Sequence, residues 1–214
     1  MKYLFVLVVH LLFSSAFCQN YTVTYERQYW DYNYKTLIKR SQDELSVKDS
    51  VAYFYTLFNG KKSKLPLGSQ FLSHALYLDL RHNTKLRQSY PYSRKRFLVV
   101  DTITRQDWSL YDDTKTIQGY LCQRATCIQN GQLVIVWFAP TLPSSFGPDG
   151  FVGLPGLILE INYAGTTNRI IAQKVALTVK PMVVPTDGKP ITPMEFNKYL
   201  DRNRPPSFRL TIRR

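Results

Sequence analysis

Three histidines and three cysteines stand in 214 residues, and 15 acidic residues face 28 basic ones. One histidine and one cysteine fall in the N-terminal leader, which leaves His74, His82, Cys122 and Cys127. So few imidazoles restrict histidine-based acid–base chemistry. The eight-residue gap between His74 and His82 lacks the four-residue helical spacing of paired metal ligands. The chain has no G-x-S-x-G elbow, no phosphate-binding glycine loop and no H-E-x-x-H pair. Nothing in it calls for a cofactor or a metal. After the leader no apolar run approaches the roughly 20 residues of a membrane-spanning helix.

Met1 to Cys18 reads as a secretion signal: Lys2, a short apolar run from Leu4 to Phe13, then Ala16-Phe17-Cys18 before the cut. The expected mature chain is therefore exported, to the periplasm or beyond. It splits into a β domain over 19–201 and a basic tail over 202–214 that carries no acidic residue. Without Lys2, 27 basic residues against 15 acidic ones leave a net charge of +12. Export turns that charge away from nucleic acid and toward anionic envelope surfaces or acidic partners.

Fifteen Tyr, 12 Phe and 3 Trp favour strands. Alternation marks strands at Tyr21–Arg27, Val51–Asn59, Phe97–Asp101, Ile117–Ala125, Leu133–Phe138, Leu157–Tyr163 and Arg169–Val179. Asn130-Gly131 is the clearest hairpin signal, because both residues take φ > 0 readily. Asp112-Asp113 reads as a turn, and Ser69–Leu80 comes close to a helical stripe. Thr192-Pro193-Met194-Glu195 is a capping box with proline at the first helical position, opening a short helix through Leu200. Cys122 and Cys127 cannot bridge within one regular strand, since five residues at about 3.3 Å each exceed the reach of a disulfide.

The chain is organised around Trp137–Tyr163, which reads strand, long loop, turn, strand. Pro155 suits the second position of a turn, and Gly156 tolerates the φ > 0 that the third position of a type II turn requires. Gly153, Pro155 and Gly156 are thus the structural turn. Trp108, Lys115–Ala125, Trp137-Phe138, Gly147-Pro148 and the hexapeptide Gly153–Ile158 together resemble the GLPGLI family of secreted bacterial proteins, whose activity is unknown. That resemblance implies export and no particular chemistry.

The fold class expected is mainly β. It is one large curved antiparallel sheet of the half-barrel type with one or two short helices, similar to the lipoprotein-sorting carriers that hold acyl chains in an apolar groove. Trp137, Phe138, Phe146 and Phe151 are then the candidate ligand-contacting aromatics. The leading functional expectation is a non-enzymatic envelope protein that binds a lipid-like ligand or an envelope protein. A second is a carboxylate-dependent hydrolase, pairing Asp112 or Asp113 with Asp149 or Glu160. A third is an interaction protein that docks by an edge strand or by the basic tail.

Overall fold

The computed structural model describes residues 20–31, 36–58, 61–62, 74–89, 95–178 and 180–203. The leader, Asn59-Gly60 and the tail beyond Asn203 lie outside them. Among the described residues, thirteen strands form one mostly antiparallel sheet, and one α-helix packs on it. In chain order the strands are β1 (Asn20–Asp31), β2 (Thr36–Lys48), β3 (Val51–Phe58), β4 (Lys61–Lys62), β5 (His74–Asp79), β6 (Thr84–Ser89) and β7 (Phe97–Asp101). They continue with β8 (Ser109–Ile117), β9 (Tyr120–Gln129), β10 (Gln132–Ala139), β11 (Leu157–Tyr163), β12 (Arg169–Ala176) and β13 (Lys189–Ile191). Across the sheet the order is β13-β7-β6-β5-β3-β2-β1-β12-β11-β10-β9-β8, with β4 beside β3 and β13 parallel to β7. The mainly-β single sheet expected from the sequence is what the chain forms.

Local chemistry accounts for the tips. Asn130 and Gly131 have φ of 50° and 76° and close the β9–β10 hairpin. Gln118 and Gly119, at 51° and 80°, close β8 onto β9. The run Ile117–Ala125 is therefore a hairpin tip and a strand, not one strand. Asp112 and Asp113 belong to β8, where the register slips between Leu110 and Thr114. The helical stripe expected over Ser69–Leu80 is instead β5 in its described part. Pairing with β3 and β6 satisfies that backbone, and its apolar spacing carries Leu76 and Leu78 to the core. The helix α1 (Pro193–Asn203) starts as expected: Thr192 N donates to Glu195 Oε2 at 3.0 Å, and Glu195 N donates to Thr192 Oγ1 at 3.3 Å. Its one buried side chain, Phe196, packs edge-on against Phe97 at 5.6 Å.

The long connection between β10 and β11 folds over the inner face of the sheet. Phe146, Phe151, Val152 and Leu154 from it join Tyr25, Leu45, Phe54, Leu78, Phe138 and Ile161 in one core cluster. Each such side chain contributes about 1.5–3 kcal/mol of burial. The tie points are specific. Trp108 Nε1 donates to Val152 O at 2.9 Å, Val152 N donates to Gln106 Oε1 at 2.8 Å, and Tyr25 Oη donates to Ile158 O at 2.6 Å. Gly153 takes φ of 103°. Gly156 does not have positive φ, so the type II turn expected at Pro155-Gly156 is not formed. What requires glycine there is close approach, because a Cβ would collide with the backbone of Ala139 and Pro140. The loop crosses its own preceding strand at that point.

Candidate carboxylate site

Three of the four aromatics expected to line a ligand site are spent on the core: Phe138, Phe146 and Phe151 are at most 1% exposed. Only Trp137 is partly open, and its ring lies under Lys115 Nζ at 4.3 Å. The expected carboxylate pairs are not assembled either. Asp113, on β8, pairs with Arg124 at 2.6 Å. Glu160 is 3% exposed. Lys115 and Arg169 reach it at 2.8 and 2.9 Å, and Asn162 Nδ2 donates to it at 2.7 Å. Burial pushes its carboxyl up, but the hydrogen bonds from Arg169, Asn162 and Lys115 win and hold it below the ordinary range. This carboxylate is a fixed anion and cannot serve as an acid.

Asp149 does find a carboxylate partner, one that the sequence did not single out. The residue sits at φ 58° in a short 3-10 turn, Pro148–Gly150, within the crossing loop. There it meets β1 and β2. Arg27 Nη1 and Nη2 donate to the two oxygens of Asp149 at 3.0 and 2.7 Å. The same guanidinium donates from Nε to Asp43 Oδ2 at 3.0 Å, with Nη2 2.8 Å from that oxygen. Tyr163 Oη donates to Asp149 Oδ2 at 3.2 Å, and Ser41 Oγ to Asp43 Oδ1 at 3.4 Å. The Asp43 side chain has no exposure at all, whereas Arg27 and Asp149 are each open by about a quarter, 26% and 25%.

Charge decides what this cluster can do. Burial alone would lower the guanidinium's affinity for its proton, but Asp149 and Asp43 outweigh it and hold Arg27 charged. Asp43 is pushed up by burial, an effect that Arg27 opposes and the nearby Asp149 reinforces. One cation facing two carboxylates leaves one of them inclined to keep a proton, and the sealed one is Asp43. Tyr163 is raised by burial and by Asp149, so its hydroxyl stays protonated. An accessible carboxylate, a buried carboxyl behind it whose pKa is raised and a fixed positive charge between them can support acid–base chemistry in a hydrolysis. The sequence signal for Asp43 was weak, one of two adjacent acids, Asp43-Glu44, in the polar run ahead of Leu45 and Val47. The two ends of the Arg27–Asp149 pair lie 122 residues apart.

Two solved structures of PNGF-II, from the P21 and C2 space groups, share this fold with a TM-score of 0.65 each. Their sequences are 16% and 14% identical to this one over 84% and 86% of it. At that identity the likeness is one of fold. The chain spans about a third of their length, 32% and 33%. No curated protein matches. Residues 58–190 match the family described as "N-glycanase peptide, N-terminal domain". This overturns the GLPGLI resemblance carried by Trp108, Lys115–Ala125, Trp137-Phe138, Gly147-Pro148 and Gly153–Ile158, since the family that matches is a different one. It also overturns the reading of a non-enzymatic binder of apolar ligands, because the matched family is one of N-glycanase domains. With more than half of its length matched, the chain belongs to the family of N-glycanase N-terminal domains.

Proposed function

We propose that this chain acts on glycans as part of an N-glycanase-type hydrolase, with Arg27, Asp43, Asp149 and Tyr163 as its carboxylate site. The observation that carries the reading is the convergence of Asp43 and Asp149 on one guanidinium in a domain of this family. Asp149 is the carboxylate open enough to meet a substrate. It takes a proton from the attacking water and returns it to the departing atom. The water's hydroxyl goes to the carbon of the cleaved linkage and its proton to the leaving group. Arg27 faces the negative charge that develops, and Asp43, out of substrate reach, positions Arg27. Export through the Met1–Cys18 leader is part of the proposal, since glycoprotein substrates are found outside the cytoplasm. Intact-mass measurement of the exported protein checks the cut after Cys18.

The deciding experiment is release of glycan from an N-glycosylated glycopeptide, followed by mass spectrometry. Asp149→Asn is expected to slow release by about 10²-fold or more, the range for loss of a general base. Asp43→Asn, acting only through Arg27, is expected to cost about tenfold less than that. Equal rates for wild type and Asp149→Asn, including no release from either, would refute the assignment.

A further inference from the structure

A concave site lies away from the carboxylate cluster, between the β2–β3 and β5–β6 hairpin tips. It is a cleft of about 280 Å³ lined by Lys48, Tyr77, Asp79, Arg81, His82 and Met182, among others. Its floor is rigid for identifiable reasons. Asp49 and Asn83 take φ of 52° and 49° at the two tips, and Leu80 N donates to Ser50 O at 2.9 Å, locking one hairpin to the other. The Asp79 carboxylate is held from three sides. It accepts from Arg81 N at 2.9 Å and His82 N at 3.2 Å on Oδ1, and lies 2.7 Å from His82 Nδ1 on Oδ2.

The wall is apolar. Met182 and Val184 belong to a segment pinned at one end by Lys180, which pairs with Glu44 and whose N–H donates to Thr22 Oγ1 at 3.3 Å. At the other end Arg96 pairs with Asp187 at 2.6 Å. The cleft therefore presents one aromatic ring, an aliphatic wall and fixed polar groups, with cations Lys48 and Arg81 matched by carboxylates Asp49 and Asp79. That balance disfavours an anionic ligand. The volume falls just below the roughly 300–1,000 Å³ of pockets for drug-sized ligands.

We infer that this cleft is a sugar subsite that takes one neutral, hydroxyl-rich pyranose, its apolar face against Tyr77 and Met182 and its hydroxyls toward Asp79 and His82. The inference rests on the glycan reading above but uses different residues, so the two can fail separately. The test is titration of the whole chain with N-acetylglucosamine and mannose, and with N-acetylneuraminic acid as the acidic control, followed by calorimetry or ligand-observed NMR. Saturable binding of at least one neutral sugar is expected. Asp79→Asn and His82→Ala should weaken it about fivefold, the size of one lost hydrogen bond. The His82 side chain is 70% exposed, so His82→Ala keeps the test valid even where Asp79→Asn perturbs the hairpin. Asp149→Asn should leave this binding unchanged whatever it does to glycan release. The inference is overturned by absence of saturable neutral-sugar binding, by tighter binding of the acidic control, by full affinity in His82→Ala, or by loss of binding in Asp149→Asn. The last result would place the sugar at the carboxylate cluster instead.

Discussion

At the inner rim one guanidinium, Arg27, serves two carboxylates, Asp43 and Asp149, whereas on the outer face two cations, Lys115 and Arg169, serve one, Glu160. Both carboxylates at issue are almost fully buried, Asp43 at 0% and Glu160 at 3% exposure. Burial pushes each of them up, yet Asp43 ends above the ordinary carboxylate range and Glu160 below it. The stoichiometry of charge, rather than depth, sets the outcome. The acid that shares its cation holds its proton more tightly than usual and acts only through Arg27. An acid with two cations and an amide donor becomes part of the scaffold. Side-chain alternation puts the two on opposite faces of β11, because Tyr163 serves the inner site and Glu160 the outer.

The strongest way to break this contrast is to remove the shared cation. Arg27→Met should destabilise the fold by about 3–5 kcal/mol, because it leaves two carboxylates facing each other with one sealed from water. Urea unfolding would show it, and an unchanged midpoint would mean that the two acids do not depend on Arg27.

Gly156→Ala tests whether the inner site depends on the loop crossing. The added methyl meets the Ala139 backbone, so about 3 kcal/mol of stability should be lost through overpacking. Asp149 should move with the loop, while the ion pairs of Glu160 persist. A variant as stable as the parent would show that the crossing has room to relax.

Glu160→Gln should cost about 2 kcal/mol at neutral pH, discounted from the buried-pair range because Lys115 and Arg169 are a third or more exposed. The pH dependences of the two acids should then have opposite signs. The lowered pKa of Glu160 makes its contribution complete above its ordinary 4.5 and lost as pH falls through the lower folded value. Asp43 is raised, so the folded state binds its proton more tightly than the unfolded chain does. Stability linked to it is present below the ordinary 3.8 and declines as pH rises through the higher folded value. Stability–pH curves for Glu160→Gln and Asp43→Asn would test this, each variant losing one of the two slopes. Slopes of the same sign would end the comparison.

The smallest expected effect is on the thiols. Cys122 and Cys127 are both free in β9, as their separation along one strand requires, and burial pushes each up to about 11. Neither should react with a thiol reagent at pH 8 in the native protein, and both should react in denaturant. Cys122 lies within the electrostatic reach of Lys115 and Glu160, whereas burial is what raises Cys127. Glu160→Gln should therefore raise labelling of Cys122 ahead of Cys127. Equal labelling would show that the outer cluster does not hold that part of the strand.

Features that depend only on neighbouring residues are legible in the sequence. Period-two alternation marked most of the strands, Asn130-Gly131 and its φ > 0 tolerance marked a hairpin, and Thr192 to Glu195 marked a helix start. The long Pro140–Val152 loop was visible as a length that no tight turn needs. Ser69–Leu80 was misread because apolar spacing in a short segment fits a helix or a strand until a partner strand claims its backbone. Pro155-Gly156 was misread because a glycine required by φ and a glycine required by contact look alike in one dimension. What only tertiary structure decided is the charge count at each buried acid. Asp43, Asp149 and Arg27 come from β2, the crossing loop and β1, and no local rule links them. A carboxylate's protonation depends on every charge within a few ångströms, and the fold chooses those neighbours from distant parts of the chain.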